Sequence, residues 1–207
     1  MMDSQLTKQE KDKYEAMWNV PCYRHTSPGY LQTENFLKFF NNSILKGDSI
    51  TDFGCGNGFT TIPFLEKGLT VQLVDIATNA LADKIAALTL LASDLVTFKY
   101  GCLWDLPDDI YQTDWCYCMD VLEHIPTEKV ADVLQHISKR TKKGGALQVF
   151  LIDEPFGDLI CEKLHLTIKP LSWWLDIIGI YFNIKEVIPI IPDIRYTLFV
   201  ESKKADS

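Results

Sequence analysis

From Ser49 onward the chain alternates strand-length apolar runs with helical patterns, and no other feature restricts its fold as much. Strand patterns occupy residues 49–53, 69–74, 96–100, 114–119 and 146–152. The fourth is uncharged inside, as a strand buried on both faces should be. Helices fit between them: one running to Lys67-Gly68, one over 80–91, and one from Thr127. In the last of these, Val130, Val133, Leu134 and Ile137 form an i, i+3, i+4, i+7 stripe, with Thr127 as the expected N-cap. Gly144-Gly145 ends the link to the fifth strand. Strands alternating with helices require crossovers, hence a parallel sheet covered on both faces. The chain then finishes with a helix near 172–181 and strands over about 182–188 and 195–201, with residues 189–193 as the turn. That connection is too short for a parallel crossover, so it is an antiparallel hairpin at one sheet edge. The expected fold class is α/β: a doubly wound, mostly parallel seven-stranded sheet with an antiparallel last strand and helices on both faces.

Before Ser49 the signals are helical. A first pattern ends at Tyr14, Met17 and Trp18, which share a face. Residues 19–29 read as a loop broken by Pro21 and Ser27-Pro28-Gly29, and a second helix carries Phe36, Phe39 and Phe40 on one face. A chain of 207 residues fits one domain, with residues 1–45 as N-terminal helices and 46–207 as the core. Apolar residues at 47% and charged residues at 23% are ordinary for a globular protein and exclude a disordered chain. Twenty Lys plus Arg against 28 Asp plus Glu give a net charge of −8, which disfavours binding to a phosphate backbone. The adjacent basic pairs are Lys139-Arg140, Lys142-Lys143 and Lys203-Lys204, and there is no longer basic run. The charged stretch from Asp3 to Lys13 lacks the apolar core of a signal peptide, and no uncharged apolar run reaches the ~18 residues of a membrane span. Six scattered cysteines fit a reduced, cytoplasmic protein. Cys116 and Cys118 read as small buried hydrophobes, and no metal site is expected, because no CxxC or histidine partner has ligand spacing.

The chemistry concentrates after the first strand. Gly54, Gly56 and Gly58 sit at its carboxyl end, where an open α/β sheet binds ligands. Asp52 precedes this bend, and Asp75 closes the second strand, where an acid suits the two hydroxyls of a ribose. The spacing is GxGxG and not the GxGxxG of dinucleotide sites. A carboxylate at Asp52 repels a diphosphate and favours an ammonium group. A nicotinamide oxidoreductase is therefore disfavoured, and a ribose-bearing ligand with a cationic amino-acid end is favoured; S-adenosylmethionine is one.

Four blocks in order carry a resemblance: Thr51-Asp52-Phe53-Gly54-Cys55-Gly56-Asn57-Gly58, Val74-Asp75, Leu103-Trp104-Asp105-Leu106-Pro107 and Asp120-Val121-Leu122-Glu123-His124-Ile125-Pro126. Over about residues 49–152 the sequence resembles the Rossmann-like class I S-adenosylmethionine-dependent methyltransferases of small-molecule type. The resemblance implies that Asp52 and the backbone of Gly54, Cys55, Gly56, Asn57 and Gly58 hold the methionine end. It implies that Asp75, with Ile76 beside it, takes the ribose, that Leu103 and Trp104 flank the adenine, and that Asp120 and Val121 line the sulfonium wall. It also implies that residues 1–45 include a lid. Cys102 stands where many relatives have the acid that receives the adenine amino group, so Asp105 substitutes for it or the contact is lost.

Methyl transfer from a sulfonium needs alignment, and it needs a base only when the acceptor carries a proton that must leave. His124 is the candidate catalytic base; a packing or capping histidine is the competing reading. His25, His165 and Tyr23 are weaker candidates. Arg24 either meets the methionine carboxylate or is a solvated loop arginine. Trp173-Trp174 reads as core, with an acceptor pocket as the other option. Residues 156–165 read as an apolar acceptor wall or as a short amphipathic helix. The segment after the fourth strand lacks Asn/Asp-Pro-Pro-Tyr/Phe, and the lone Pro21-Cys22 precedes the glycine bend, so a base-methylating enzyme is not indicated. The expectation is a methyltransferase that converts S-adenosylmethionine to S-adenosylhomocysteine and acts on a small-molecule acceptor, without nucleic acid or membrane span. The alternative is a non-catalytic S-adenosylmethionine-binding module.

Overall fold

A computed structural model describes residues 2–203. Lys204, half of the last basic pair, lies outside the described residues. Three helices open the chain: α1 (Met2–Met17), the short α2 (Pro21–Arg24) and α3 (Pro28–Phe39). Then β1 (Ser49–Phe53), α4 (Thr61–Glu66), β2 (Thr70–Asp75), α5 (Asp83–Leu91), β3 (Val96–Tyr100) and β4 (Thr113–Cys118) follow in turn. A 3-10 turn at Leu122–His124 and another at Thr127–Lys129 lead into α6 (Val130–Lys139), β5 (Thr141–Phe150), a 3-10 segment at Pro155–Ile160, α7 (Leu171–Tyr181), β6 (Phe182–Ile191) and β7 (Arg195–Ser202).

All seven strands join one sheet in the order β3-β2-β1-β4-β5-β7-β6. β1, β2, β3, β4 and β5 pair in parallel, while β7 lies antiparallel between β5 and β6. The hairpin thus closes one edge as the connection length required. The strand order reverses at β1 and β4, which opens a crevice at their carboxyl ends.

Each face of the sheet has its own core, and β4 alternates between them. Cys116 and Cys118 pack towards Val133, Leu134 and Ile137 of α6 and Trp174 and Ile178 of α7. Trp115, Tyr117 and Met119 pack towards Phe36, Phe40 and Phe64. The α6 stripe is fully buried, each side chain contributing about 1.5–3 kcal/mol. Trp174 is likewise core, and burial pushes the Cys116 thiol up to about 12, as expected of an inert buried cysteine.

Several boundaries differ from expectation for identifiable reasons. Gly144 and Gly145 lie inside β5, not in the link before it. A Cβ on Gly145 would stand 2.0 Å from the Cys116 carbonyl oxygen, and one on Gly144 2.2 Å from that of Val200, so both glycines let neighbouring strands approach. Thr127 does not cap a helix; it belongs to a 3-10 turn, and its hydroxyl bonds that of Thr167 at 2.9 Å. Residues 19–29 contain α2, and α3 starts at Pro28, a residue preset for the first helical position. Pro189 belongs to edge strand β6, where a missing N–H is tolerated. Helix α5 begins at Asp83 rather than residue 80. Among the described residues no helix is long and apolar enough to cross a membrane.

Candidate functional site

The crevice holds a cavity of about 660 Å³, within the ordinary range for small-ligand sites. The glycine bend forms its floor. Gly54 (φ 74°) and Gly56 (φ 53°) adopt left-handed backbone, where a side chain is strained. A Cβ would meet Val121 Cγ2 at 2.4 Å from Gly54 and Trp18 Cζ2 at 2.7 Å from Gly56. The bend is therefore locked between Val121 and the N-terminal helices.

Two buried carboxylates flank it. Asp75 Oδ2 accepts from the Gly56 N–H at 2.8 Å, and Oδ1 accepts from the Ala77 N–H at 2.8 Å. Burial lifts Asp75 to about 6, opposed by the N–H groups of Ala77, Gly56 and Ile76. Asp52, 3% exposed, accepts from the Thr60 hydroxyl. Burial lifts Asp52 to about 7; the Thr60 hydrogen bond opposes this and the Asp75 charge adds to it. Cys55, Ile76 and Asn57 complete this end of the cavity. Asn57 also acts as a tie: its side-chain N–H donates to Thr26 O at 2.7 Å, joining the bend to the segment after α2.

The N-terminal helices roof the cavity through Tyr14, Trp18, Tyr23, His25 and residues 26–29. Arg24 fits neither expectation. Its guanidinium donates to the carbonyls of Trp18 (3.2 Å), Asn79 (2.7 Å) and Leu81 (3.0 Å), so it pins the roof to the segment after β2 and does not line the cavity. Leu103 and Trp104 line the far end, with Trp104 Nε1 buried and unpartnered. Cys102 Sγ receives the Thr7 hydroxyl at 3.7 Å, and Asp105 is exposed and outside the lining. Asp105 therefore does not replace the missing acid.

Opposite the glycine bend, Asp120 takes left-handed backbone (φ 51°) and Val121 presses on Gly54. Asp120 lies 3.7 Å from Arg195, and its Oδ1 is buried without a partner. Burial lifts it to about 6 against the Arg195 charge. Glu123 is fully buried with neither oxygen hydrogen-bonded; burial and then the Asp120 charge push it far above the usual carboxylate range. His124 Nδ1 bonds Leu164 O at 3.2 Å, and burial followed by the neighbouring His165 drives it down to about 3. The chain after the 155–160 segment crosses over this turn because the N–H groups of Leu166 and Thr167 donate to Glu123 O at 2.8 and 2.9 Å. That crossing stacks His165 edge-on to His124, ring centroids 4.7 Å apart. Residues 156–165 thus form a 3-10 segment and an extended cross-over, with Phe156 lining the cavity and touching the Tyr23 ring.

Residues 51–147 match the family profile described as "Methyltransferase domain". In Synechocystis, magnesium protoporphyrin IX methyltransferase with bound S-adenosylhomocysteine superposes with a TM-score of 0.66 at 18% identity, over 97% of each chain. The 1,6-didemethyltoxoflavin-N1-methyltransferase of Burkholderia thailandensis superposes with a TM-score of 0.68 at 15% identity, over 99% of this chain and 89% of that one. Residues 51–147 are thus similar to a methyltransferase domain, and the chain has the class I methyltransferase fold. By sequence it is 32% identical over 109 residues to the chloroplastic magnesium protoporphyrin IX methyltransferase of Arabidopsis thaliana, spanning 52% of this chain and 34% of that protein. It is 33% identical over 104 residues to the ubiquinone biosynthesis O-methyltransferase of Paracidovorax citrulli, spanning 49% and 42%. The chain therefore spans well under half of these curated relatives.

Within this methyltransferase fold, the residues expected at the donor end line the cavity except Gly58, which faces Leu73, Leu81 and Ile85 instead, and Asp105. Sequence reasoning gave no role to Thr60, Phe150, Glu154 and Arg195, and read Tyr14 and Trp18 only as a helix face. The i, i+4 pair Tyr14 and Trp18 was legible as a face, though not as a roof over glycines forty residues away.

Proposed function

We propose that this chain is an S-adenosylmethionine-dependent methyltransferase acting on a small-molecule acceptor. The observation that carries the reading is the glycine bend held between Asp52 and Asp75, two buried acids whose raised proton affinity a cationic ligand would relieve. The cradle fits such a ligand: a Cβ at Gly54 or Gly56 would fill the space the bend leaves, and the unpartnered Trp104 Nε1 offers a donor at the adenine end. In this assignment Asp52 and the backbone of residues 54–58 hold the methionine end. Asp75 and Ile76 take the ribose, Leu103 and Trp104 the adenine, and Asp120 and Val121 the sulfonium side. When bound, S-adenosylmethionine supplies an activated methyl group for in-line displacement.

The chain's own part is then alignment and exclusion of water, an effect that can supply about 7–11 kcal/mol of a barrier. Tyr14, Tyr23 and Phe156 wall the acceptor end with aromatic surface, while Trp18 closes over the glycine bend. His124 is the proposed acid–base residue. Its Nδ1 is tied to a backbone carbonyl, which leaves Nε2 as a lone pair towards an acceptor proton. At about 3 it is a weak base, suited to orienting an acidic hydroxyl rather than deprotonating an alcohol. The relatives named O-methyltransferases favour an oxygen acceptor. The net charge of −8 favours a partner other than nucleic acid, and six free thiols favour a reduced, cytoplasmic setting. The test is S-adenosylhomocysteine release across a panel of phenols, enols, carboxylic acids and amines. Turnover with at least one supports the enzyme, whereas tight binding of S-adenosylmethionine with silence across the panel supports a binding module.

A further inference from the structure

We propose that Glu123, His124 and His165 form a binding site for a zinc-type divalent transition-metal ion at the acceptor end of the cavity. One ligand atom from each of the three lies within 4.8 Å of the other two, and all three line the same cavity. A tetrahedral zinc site needs roughly 3.3 Å between ligand atoms, so modest side-chain rotation closes the set.

Three observations point to an ion and not to a packed cluster. Both oxygens of Glu123 are fully buried without a well-formed hydrogen bond, only the N–H groups of Glu123 itself and Phe150 standing near its carboxyl, an arrangement that is unfavourable unless the group holds a proton or a cation offsets its charge. Both imidazoles use Nδ1 on a backbone carbonyl, His124 on Leu164 O at 3.2 Å and His165 on Ile152 O at 2.6 Å. That is how metal-binding histidines are commonly oriented, and it leaves each Nε2 as a free lone pair. Next to them Asp120 Oδ1 is also buried and unpartnered. Of the cations near the cluster, Lys13 is engaged with Glu10 and with Lys163 O, while Arg195 lies 3.7 Å from Asp120, lends some charge to Glu123 and keeps a buried, unpartnered Nε.

Two imidazoles and one carboxylate select zinc, iron, cobalt or nickel over magnesium, which prefers an all-oxygen shell. Three protein ligands leave an open position, and all three line the cavity from which a further ligand would come. If the methyltransferase reading holds, that position takes an acceptor oxygen and acidifies its hydroxyl, which releases its proton to solvent; His124 Nε2 then serves as a ligand of the ion and no longer as the acid–base group. Ion binding itself does not depend on that reading.

The full chain is stripped with chelator, dialysed against zinc or cobalt, and its metal content measured by mass spectrometry. S-adenosylmethionine binding is followed separately by calorimetry, so failure at the donor end is told apart from failure here. The expected result is one retained ion per chain, not displaced by millimolar magnesium. Retention should fall at least tenfold in both Glu123→Gln and His165→Ala and persist in Cys22→Ser/Cys161→Ser. The cobalt spectrum of the unaltered protein should show ligand-field bands without thiolate charge transfer, a readout that needs no variant to fold. No retained ion, equal retention in both ligand variants, displacement by magnesium, or a thiolate band would overturn the proposal.

Discussion

Asp52 and Asp75 show how single residues set the behaviour of the site. Burial holds them at about 7 and about 6, against roughly 4 in an unfolded chain. Between those values the folded protein keeps protons that the unfolded chain has lost, so their contribution to stability is complete below about pH 4 and is lost as pH rises through 6 and 7. The lowered proton affinity of His124 works in the opposite direction, so the comparison is differential: between pH ~5 and pH ~7.5 urea unfolding should show the ligand-free protein losing roughly 1–3 kcal/mol more stability than Asp52→Asn/Asp75→Asn. Equal pH slopes in the two proteins would contradict the assignment of these acids. A cationic ligand favours the ionised forms, so affinity for S-adenosylmethionine should increase from about pH 5 to 8, and calorimetry in buffers of different ionisation heat should detect proton release. Gly56 gives a steric counterpart. Gly56→Val combines left-handed strain of ~1–2 kcal/mol with a Cβ placed 2.7 Å from the Trp18 ring. It should weaken binding at least tenfold while circular dichroism stays native; unchanged affinity would mean that the bend does not touch the ligand.

At the scale of elements, β5 is the most instructive. Gly145→Ala would drive a methyl group into the Cys116 carbonyl at 2.0 Å and separate β4 from β5. Thermal or urea unfolding should register a loss of about 2–4 kcal/mol, and a change within ~0.5 kcal/mol would show that the sheet can absorb the methyl group. The same glycines explain what local pattern can and cannot reveal. Strands 49–53 and 96–100 were legible because apolar runs and flanking polar residues mark them without help from elsewhere. Gly144 and Gly145 look like a loop because glycine punctuates most strands, and only the approach of Cys116 and Val200 from other strands makes them strand residues. Helix α5 is similar: its Ala/Leu composition suggests a buried helix, yet only Ile85 is buried, and Leu90 and Leu91 are 82% and 86% exposed. The glycine bend and its acids were legible because they are contiguous with β1 and β2. The opposite wall of the cavity was not, because Tyr14, Glu123, Phe150, His165 and Arg195 meet there only once the sheet has formed.

Across the whole molecule, the roof and the sheet must stay joined for the cavity to exist, and Arg24 makes two of the bonds that join them, to Asn79 O and Leu81 O, while a third, to Trp18 O, ties the roof to itself. Arg24→Ala should leave the sheet folded and cost ligand binding about 1–3 kcal/mol, seen as a roughly 5- to 150-fold rise in Kd; an unchanged Kd would mean that the roof is not needed. Ligand bound to the native state alone should also raise the melting temperature of the entire chain. At a hundredfold excess over Kd the gain is about 2.7 kcal/mol, or roughly 5–11 °C for a chain of this size. The most direct test is titration calorimetry of S-adenosylmethionine into the unaltered protein and into Asp75→Ala. One saturable site, weakened at least tenfold by the substitution, is the predicted result. No binding, or equal binding in both proteins, would contradict the claim that the glycine bend and its two buried acids form the donor site.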